Sequence, residues 1–383
     1  MNILSRYLAG SVVVTSLAGI LVFVFILITG NAMRDILGLL AEGFLPLSLF
    51  GELLLLLVPF AFSYAMPLGM LIAILLVIGR LSANRELTAL KAAGISIYTI
   101  AGPVLFVALC GSFLAAYINA VHAPAARASY RAILNDIVRE DPLRFIVSRT
   151  FIHDFPGYII YVGEKDRDRM KQFWLWELDE EKRAVRLLRA EEGSLHFNEE
   201  NDSLVLTLQE GFTELRDPDN PDNLQEIQPT LSFRDARIRL PLASLLGTAH
   251  KPRRLSDFPA ADLIQRRDAA RQLLQTDLPP EEREAARINL GQLQYYISRQ
   301  FAMAFSVFSL SVFAVPLGIR VSRSETHANF TLALFIAFGY YSSMIIIGWA
   351  EDKPHLRPEL LVWLPNLVAQ AIGFIFLVRA NRN

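Results

Sequence analysis

The chain has 383 residues, 53% of them hydrophobic and 20% charged, and its 37 Lys and Arg nearly balance its 38 Asp and Glu. A net charge of −1 supplies no global basic field for nucleic acid. The single cysteine, Cys110, excludes an intrachain disulfide and a cysteine metal cluster.

The charges are unevenly placed, and only 19 of them lie outside 122–300. The flanks contain six charge-free apolar stretches, 7–33, 53–79, 92–126, 300–319, 326–350 and 360–378. A helix needs about 20 mostly apolar residues to cross the hydrocarbon core of a bilayer. The expected fold class is an α-helical membrane protein with six transmembrane helices and an inserted all-β, jelly-roll-like domain. The first stretch exceeds the apolar core of a cleavable signal and lacks a small-x-small cleavage site, so it reads as a retained first span.

Orientation follows from the short loops. With the amino end inside, the inner segments carry Arg6, Arg80, Arg85, Lys91, Arg320, Arg323, Arg379 and Arg382, whereas the outer loops carry Arg34, Lys353 and Arg357. Positive residues in short loops favour the cytoplasm. Both termini are expected there, with the insert outside, in the periplasm of a double-membrane bacterium. Proline in spans two (Pro59, Pro67), four (Pro316) and six (Pro365) predicts local kinks.

The loop after span two is expected to form a short amphipathic helix at about 82–94. Ser82 or Asn84 suits the N-cap, Glu86 the first turn, Lys91 the last turn and Gly94 a left-handed position just past the end, with Leu87 and Leu90 on one face. Such a helix either lies on lipid or presents a rigid knob to a cytoplasmic partner.

In the insert, short alternating runs at 145–152, 158–163, 173–178, 194–197, 203–208 and 225–233 are separated by turn-forming residues, most clearly at 217–223. About eight strands in a two-sheet sandwich or jelly roll are expected. From Pro259 the pattern becomes helical, with Pro279 and Pro280 at a helix start capped by Thr276 or Asp277. The domain reading is 1–121 for spans one to three, 122–258 for the β-domain, 259–299 for a helical stalk and 300–383 for spans four to six.

Catalytic constellations are missing from this pattern. The sequence has no Gly-x-x-x-x-Gly-Lys-Ser/Thr loop, no His-Glu-x-x-His and no Gly-x-Ser-x-Gly, and its six histidines are scattered. The apolar stretches carry no acid or base near mid-span, where a proton relay would need one. Work done by this protein would draw its energy from a partner.

The run Arg85-Glu86-Leu87-Thr88-Ala89-Leu90-Lys91-Ala92-Ala93-Gly94-Ile95-Ser96 resembles the coupling-helix segment of the lipopolysaccharide export permeases, the LptF/LptG family. Ile3-Leu4-Ser5-Arg6-Tyr7-Leu8, Val58-Pro59, Met66-Pro67-Leu68 and Val315-Pro316-Leu317-Gly318-Ile319 are similar to that family in the same order, as is the three-plus-three layout. The resemblance implies a permease without its own ATPase site and without a cofactor, ATP being bound by a partner ABC ATPase dimer. It further implies a second paralogous permease, a membrane-anchored periplasmic bridge protein, and lipopolysaccharide as cargo, with no nucleic acid.

Carried over by position, Glu86 engages the ATPase, with Leu87, Leu90 and Gly94 shaping the knob. Arg34 faces substrate phosphate, where an arginine offers a bidentate contact. Phe330, Phe335 and Phe338 of span five, with Tyr340 and Tyr341, are candidates for the acyl-chain wall, against ordinary helix packing. Gly38, Leu39, Leu40 and Ala41 carry none of the lysines of the G-type, which leans the chain to the F-type. Competing readings are a permease for another lipid or glycolipid, and a membrane-anchored sensor or scaffold. The short inner loops leave the sensor no signalling domain.

Overall fold

The computed structural model describes residues 3–37, 40, 46–140, 149, 151–152, 157–166, 169–179, 183–198, 203–216, 230–241, 254–276, 279–320 and 326–382. The chain forms two compact units, 1–130 with 254–383, and 131–253.

The first unit is helical. Its elements are α1 (Ile3–Asp35), α2 (Leu47–Ala83), α3 (Glu86–Ala92) and α4 (Ile97–Tyr117). A π-turn (Ile118–His122) then leads into α5 (Ala123–Glu140). After the insert come a 3-10 turn (Leu255–Asp257), α6 (Ala260–Leu273), α7 (Pro280–Arg320), α8 (Thr326–Gly348), a second 3-10 turn (Pro354–Leu356), α9 (Pro358–Leu361) and α10 (Leu364–Arg382). Six helical segments are long and apolar enough to cross a membrane, and all but the fifth outrun the charge-free stretches, most of all the third, which extends to Leu134, and the fourth, which begins at Glu282.

The apolar windows of α2 and α7 are mostly buried, whereas those of α1, α8 and α10 are mostly turned outward. Two central helices are thus ringed by the others. Leu71, Ile74, Leu75 and Ile78 of α2 share one core with Ala302, Val307, Leu310 and Ala314 of α7. In a membrane, close backbone approach replaces the hydrophobic effect as the main source of packing energy. Gly69 of α2 sits where a Cβ would lie 2.8 Å from the Ile20 backbone nitrogen of α1, and a Cβ on Gly373 of α10 would meet the Phe313 backbone at 2.8 Å. Cys110 is exposed on α4.

Helix α7 starts at Pro280, whose missing N–H costs nothing at a first helical position. The cap expected there is not made by Thr276, whose hydroxyl instead donates to the Leu273 carbonyl at the end of α6; Asp277 lies outside the described residues. Leu263 and Ala270 of α6 pack with Leu293 of α7 and with Phe258.

The second unit holds one antiparallel sheet of strands β1 (Phe151–Ile152), β2 (Tyr158–Asp166), β3 (Arg169–Leu178), β4 (Ala184–Asn198), β5 (Ser203–Leu215) and β6 (Thr230–Pro241). Its order is β1-β2-β3-β4-β5-β6, each strand bonded to its neighbour in sequence. The inserted β-domain is as expected; of the expected strands, about eight in two facing sheets, the described residues form six, in a single meander. The turn at 217–223 and His153-Asp154 lie outside the described residues.

One face of the sheet is apolar, with Ile160, Val162, Phe173, Leu175, Leu206 and Leu208 in one buried cluster. The alternation in 204–208 predicts that side, and Leu206 and Leu208 are indeed buried between half-buried Val205 and Thr207. Gln172 of β3 and Glu210 of β5 take positive φ (55° and 49°), and the β3–β4 register shifts between Glu177 and Leu178. The opposite face carries a cross-strand row of Phe151, Tyr161 and Trp174 with ring centroids 4.9 and 6.2 Å apart, and the Arg189 guanidinium lies 4.7 Å over Trp174. Burial beside Glu177 raises the Tyr158 phenol above its ordinary value, and Arg186 opposes that rise.

Candidate coupling helix and outer pocket

At the end of the helical unit that carries both termini, α3 is a seven-residue helix set between α2 and α4. Its start differs from the expected capping. Arg85 is the N-cap residue and takes a left-handed conformation (φ 61°), so the chain reverses in two residues. Neither Ser82 nor Asn84 caps α3. The Ser82 hydroxyl donates to the Ile319 carbonyl of α7 at 3.2 Å, and the Asn84 amide donates to Glu86 Oε1 at 3.0 Å.

The other end closes as the residues predict. Gly94 has φ 80°, its N–H donates to Lys91, and the Ile95 N–H donates to Leu90. This pair of bonds satisfies the last carbonyls of a helix. Only glycine takes such a conformation without steric cost.

The two sides of α3 differ. Leu87 is 6% exposed and belongs to the core of the helical unit, and Leu90 packs against that core. Glu86, Thr88, Ala89, Ala92 and Ala93 are exposed. The leucines therefore anchor the helix to its own protein, while a carboxylate and a run of small residues face outward. Small residues let another backbone approach closely, and the Asn84 bond orients the carboxylate.

A pocket lies at the opposite end of the same unit, between α2, the π-turn, α5, the first 3-10 turn and α7. Phe60, Tyr64, Asn119, Arg127, Arg299 and Gln300 are among its walls. The π-turn puts Asn119 there, its amide donating to the Gln300 carbonyl at 3.3 Å. The Asn119 and Gln300 side-chain oxygens are buried without a partner. Arg127 stacks on Phe60 at 4.1 Å. The Glu351 carboxylate, which accepts from the Tyr296 hydroxyl at 3.0 Å, acts on Arg299 through space. Two cations, two free acceptors and aromatic walls suit an anionic, hydroxyl-bearing ligand.

The remaining sequence candidates are dispersed. Arg34 falls in the last turn of α1, with its side chain outside the described residues, as is that of Phe330 in α8. Phe335 and Phe338 of α8 are 70% and 71% exposed and point away from the bundle. Tyr340 is buried, and the Tyr341 hydroxyl donates to a backbone carbonyl of α2, so these two belong to the packing. Sequence reasoning passed over Arg127 and Arg299. Each borders a charge-free stretch, which is the signal that was available.

Six helices long and apolar enough to cross a membrane, with a β-sheet insert between the third and the fourth, define a multi-pass membrane protein. The family model described as lipopolysaccharide export system permease LptF/LptG matches residues 6–379, nearly the whole chain, and the chain belongs to that family. It is accordingly a permease component of lipopolysaccharide export in the inner membrane, a transport part and not a catalyst. No curated relative gives a significant match.

Proposed function

We propose that this chain is one permease half, of the F-type, in an ABC transporter that extracts lipopolysaccharide from the inner membrane. In this reading α3 docks on an ATPase dimer, and a second paralogous permease completes the membrane part. The observation that carries it is the two-sided build of α3: Leu87 fixed in the core, Glu86 held outward by Asn84. A helix joined to α2 by two residues transmits a push with little slack.

Both termini are cytoplasmic and the insert periplasmic in this proposal, supported by the eight basic residues at the termini end against three at the other. Arg34, Arg127 and Arg299 are the proposed phosphate contacts. The outward Phe335 and Phe338, with Phe330 on the same helix, form part of the acyl-chain wall between the two permeases. The apolar sheet face of the insert receives the lipid and hands it to a membrane-anchored bridge protein. The F-type assignment rests on the missing lysines at 38–41.

Purification from native membranes in mild detergent, followed by mass spectrometry, tests the whole. An ABC ATPase, a second six-span permease and bound lipopolysaccharide are expected. Recovery of the chain alone, or with a signalling partner, would overturn the proposal.

A further inference from the structure

The end of α10 is fastened to α3 and α4 by two side chains that nothing in the coupling reading requires. Lys91, in the last turn of α3, donates from its ammonium to the Ala380 carbonyl at 3.2 Å. Ala380 lies in the last turn of α10, where carbonyls have no partner within the helix and the helix dipole favours a cation. One residue on, Asn381 Oδ1 accepts from the Ile97 N–H at 3.2 Å. Ile97 is the first residue of α4, so that N–H is likewise an orphan of its helix; the Ser96 hydroxyl serves Thr99 instead.

The result is a closed ring. The four residues Ala93–Ser96 join α3 to α4 covalently, α4 is bonded to α10 through Asn381, and α10 is bonded back to α3 through Lys91. Beneath it Ile97 and Leu377 are both buried in the shared core. Elsewhere α10 packs mainly on α7. The ring is thus a direct polar link, among the described residues, between the sixth span and the loop that carries α3.

We infer that Lys91 and Asn381 are positioning residues of the coupling device: they lock the end of the sixth span to α3, so that displacement of α3 moves spans two, three and six together. The inference rests on the reading of α3 as the ATPase-docking helix. A hydrogen bond of this kind contributes about 1 kcal/mol net, which corresponds to roughly five-fold in an equilibrium between two arrangements.

The test uses the complete transporter, the ATPase dimer with both permeases, reconstituted in liposomes containing lipopolysaccharide. Lys91→Met and Asn381→Ala are expected to keep complex recovery and ATP hydrolysis while lowering lipopolysaccharide released per ATP about three- to ten-fold. Lys91→Arg and Asn381→Asp, which keep the donor and the acceptor, are expected to restore it. Unchanged release per ATP in the double variant K91M/N381A would overturn the inference. So would a parallel loss of complex recovery and hydrolysis, which would reduce the pair to supports of the helix fold. Glu86→Ala is the control for the underlying reading. If it is silent, the docking role of α3 falls and the lock falls with it; if it uncouples while the lock variants are silent, only the lock falls.

Discussion

The Tyr341 hydroxyl donates to the Tyr64 backbone carbonyl at 2.7 Å, joining α8 to α2. Pro67 supplies no N–H to the Ser63 carbonyl, and the loosened turn leaves the neighbouring Tyr64 carbonyl room for a second donor. Tyr341→Phe removes the bond and keeps the ring. It is expected to cost about 1 kcal/mol, read as a fall of a few degrees in the apparent melting temperature in detergent. An unchanged melting temperature would show that α8 is held by its apolar contacts alone.

The crossing of α1 and α2 depends on Gly69. A Cβ there would lie 2.5 Å from Ile20 Cγ1 and 2.8 Å from the Ile20 nitrogen, and a backbone atom cannot step aside as a side chain can. Gly69→Ala should destabilise the helical unit by about 1–3 kcal/mol. Gly10→Ala, with nothing within 4 Å, should not. Thermal unfolding of the two variants side by side decides the matter.

On α3 the two faces give separable phenotypes. Glu86→Ala and Glu86→Lys should abolish recovery of the ATPase with the permease, at unchanged melting temperature, because the carboxylate is exposed. Leu87→Ala removes a buried side chain, at a cost of about 2–5 kcal/mol, and should loosen the loop as well. Limited proteolysis around residues 82–96 should be faster in Leu87→Ala and unchanged in Glu86→Ala. Equal proteolysis in both would contradict the division of the helix into an anchoring and a presenting side.

Gly94→Ala forces an alanine into a left-handed conformation, at a cost of about 1–2 kcal/mol. Gly94→Asn should be tolerated better, since asparagine visits that region. Transport by the two variants in cells should rank in that order.

For the cargo, Arg34→Ala and Arg299→Ala should each reduce photocrosslinking of lipopolysaccharide to probes placed near their own helix. Crosslinking that survives Arg299→Ala would make the pocket a structural void and not a headgroup site.

The helical spans are legible because charge is excluded from about 20 residues at a time, a signal that needs no knowledge of neighbours. The sheet is less so. Alternation marks Leu206 and Leu208 as inward, but which strands bond to one another is set by pairing across the sheet, which no single strand's residues reveal. The cap of α3 is not legible because Ser82 and Asn84 both suit the position by type, while the Ile319 carbonyl that claims Ser82 lies 237 residues away. Arg299 escaped notice because it stands one place before the charge-free stretch and reads as its border.

The meander order of the insert has a consequence for biosynthesis. Each strand bonds to the one made just before it, so the sheet can grow strand by strand as the insert emerges on the far side of the membrane, without waiting for a distant partner. The helical unit has no such freedom, because α2 needs α7, which is synthesised about 200 residues later. The insert is therefore expected to be folded while the first three spans still wait, half-assembled, for their second half. An insertase or chaperone acting on this protein would meet a finished sheet hanging from an incomplete bundle.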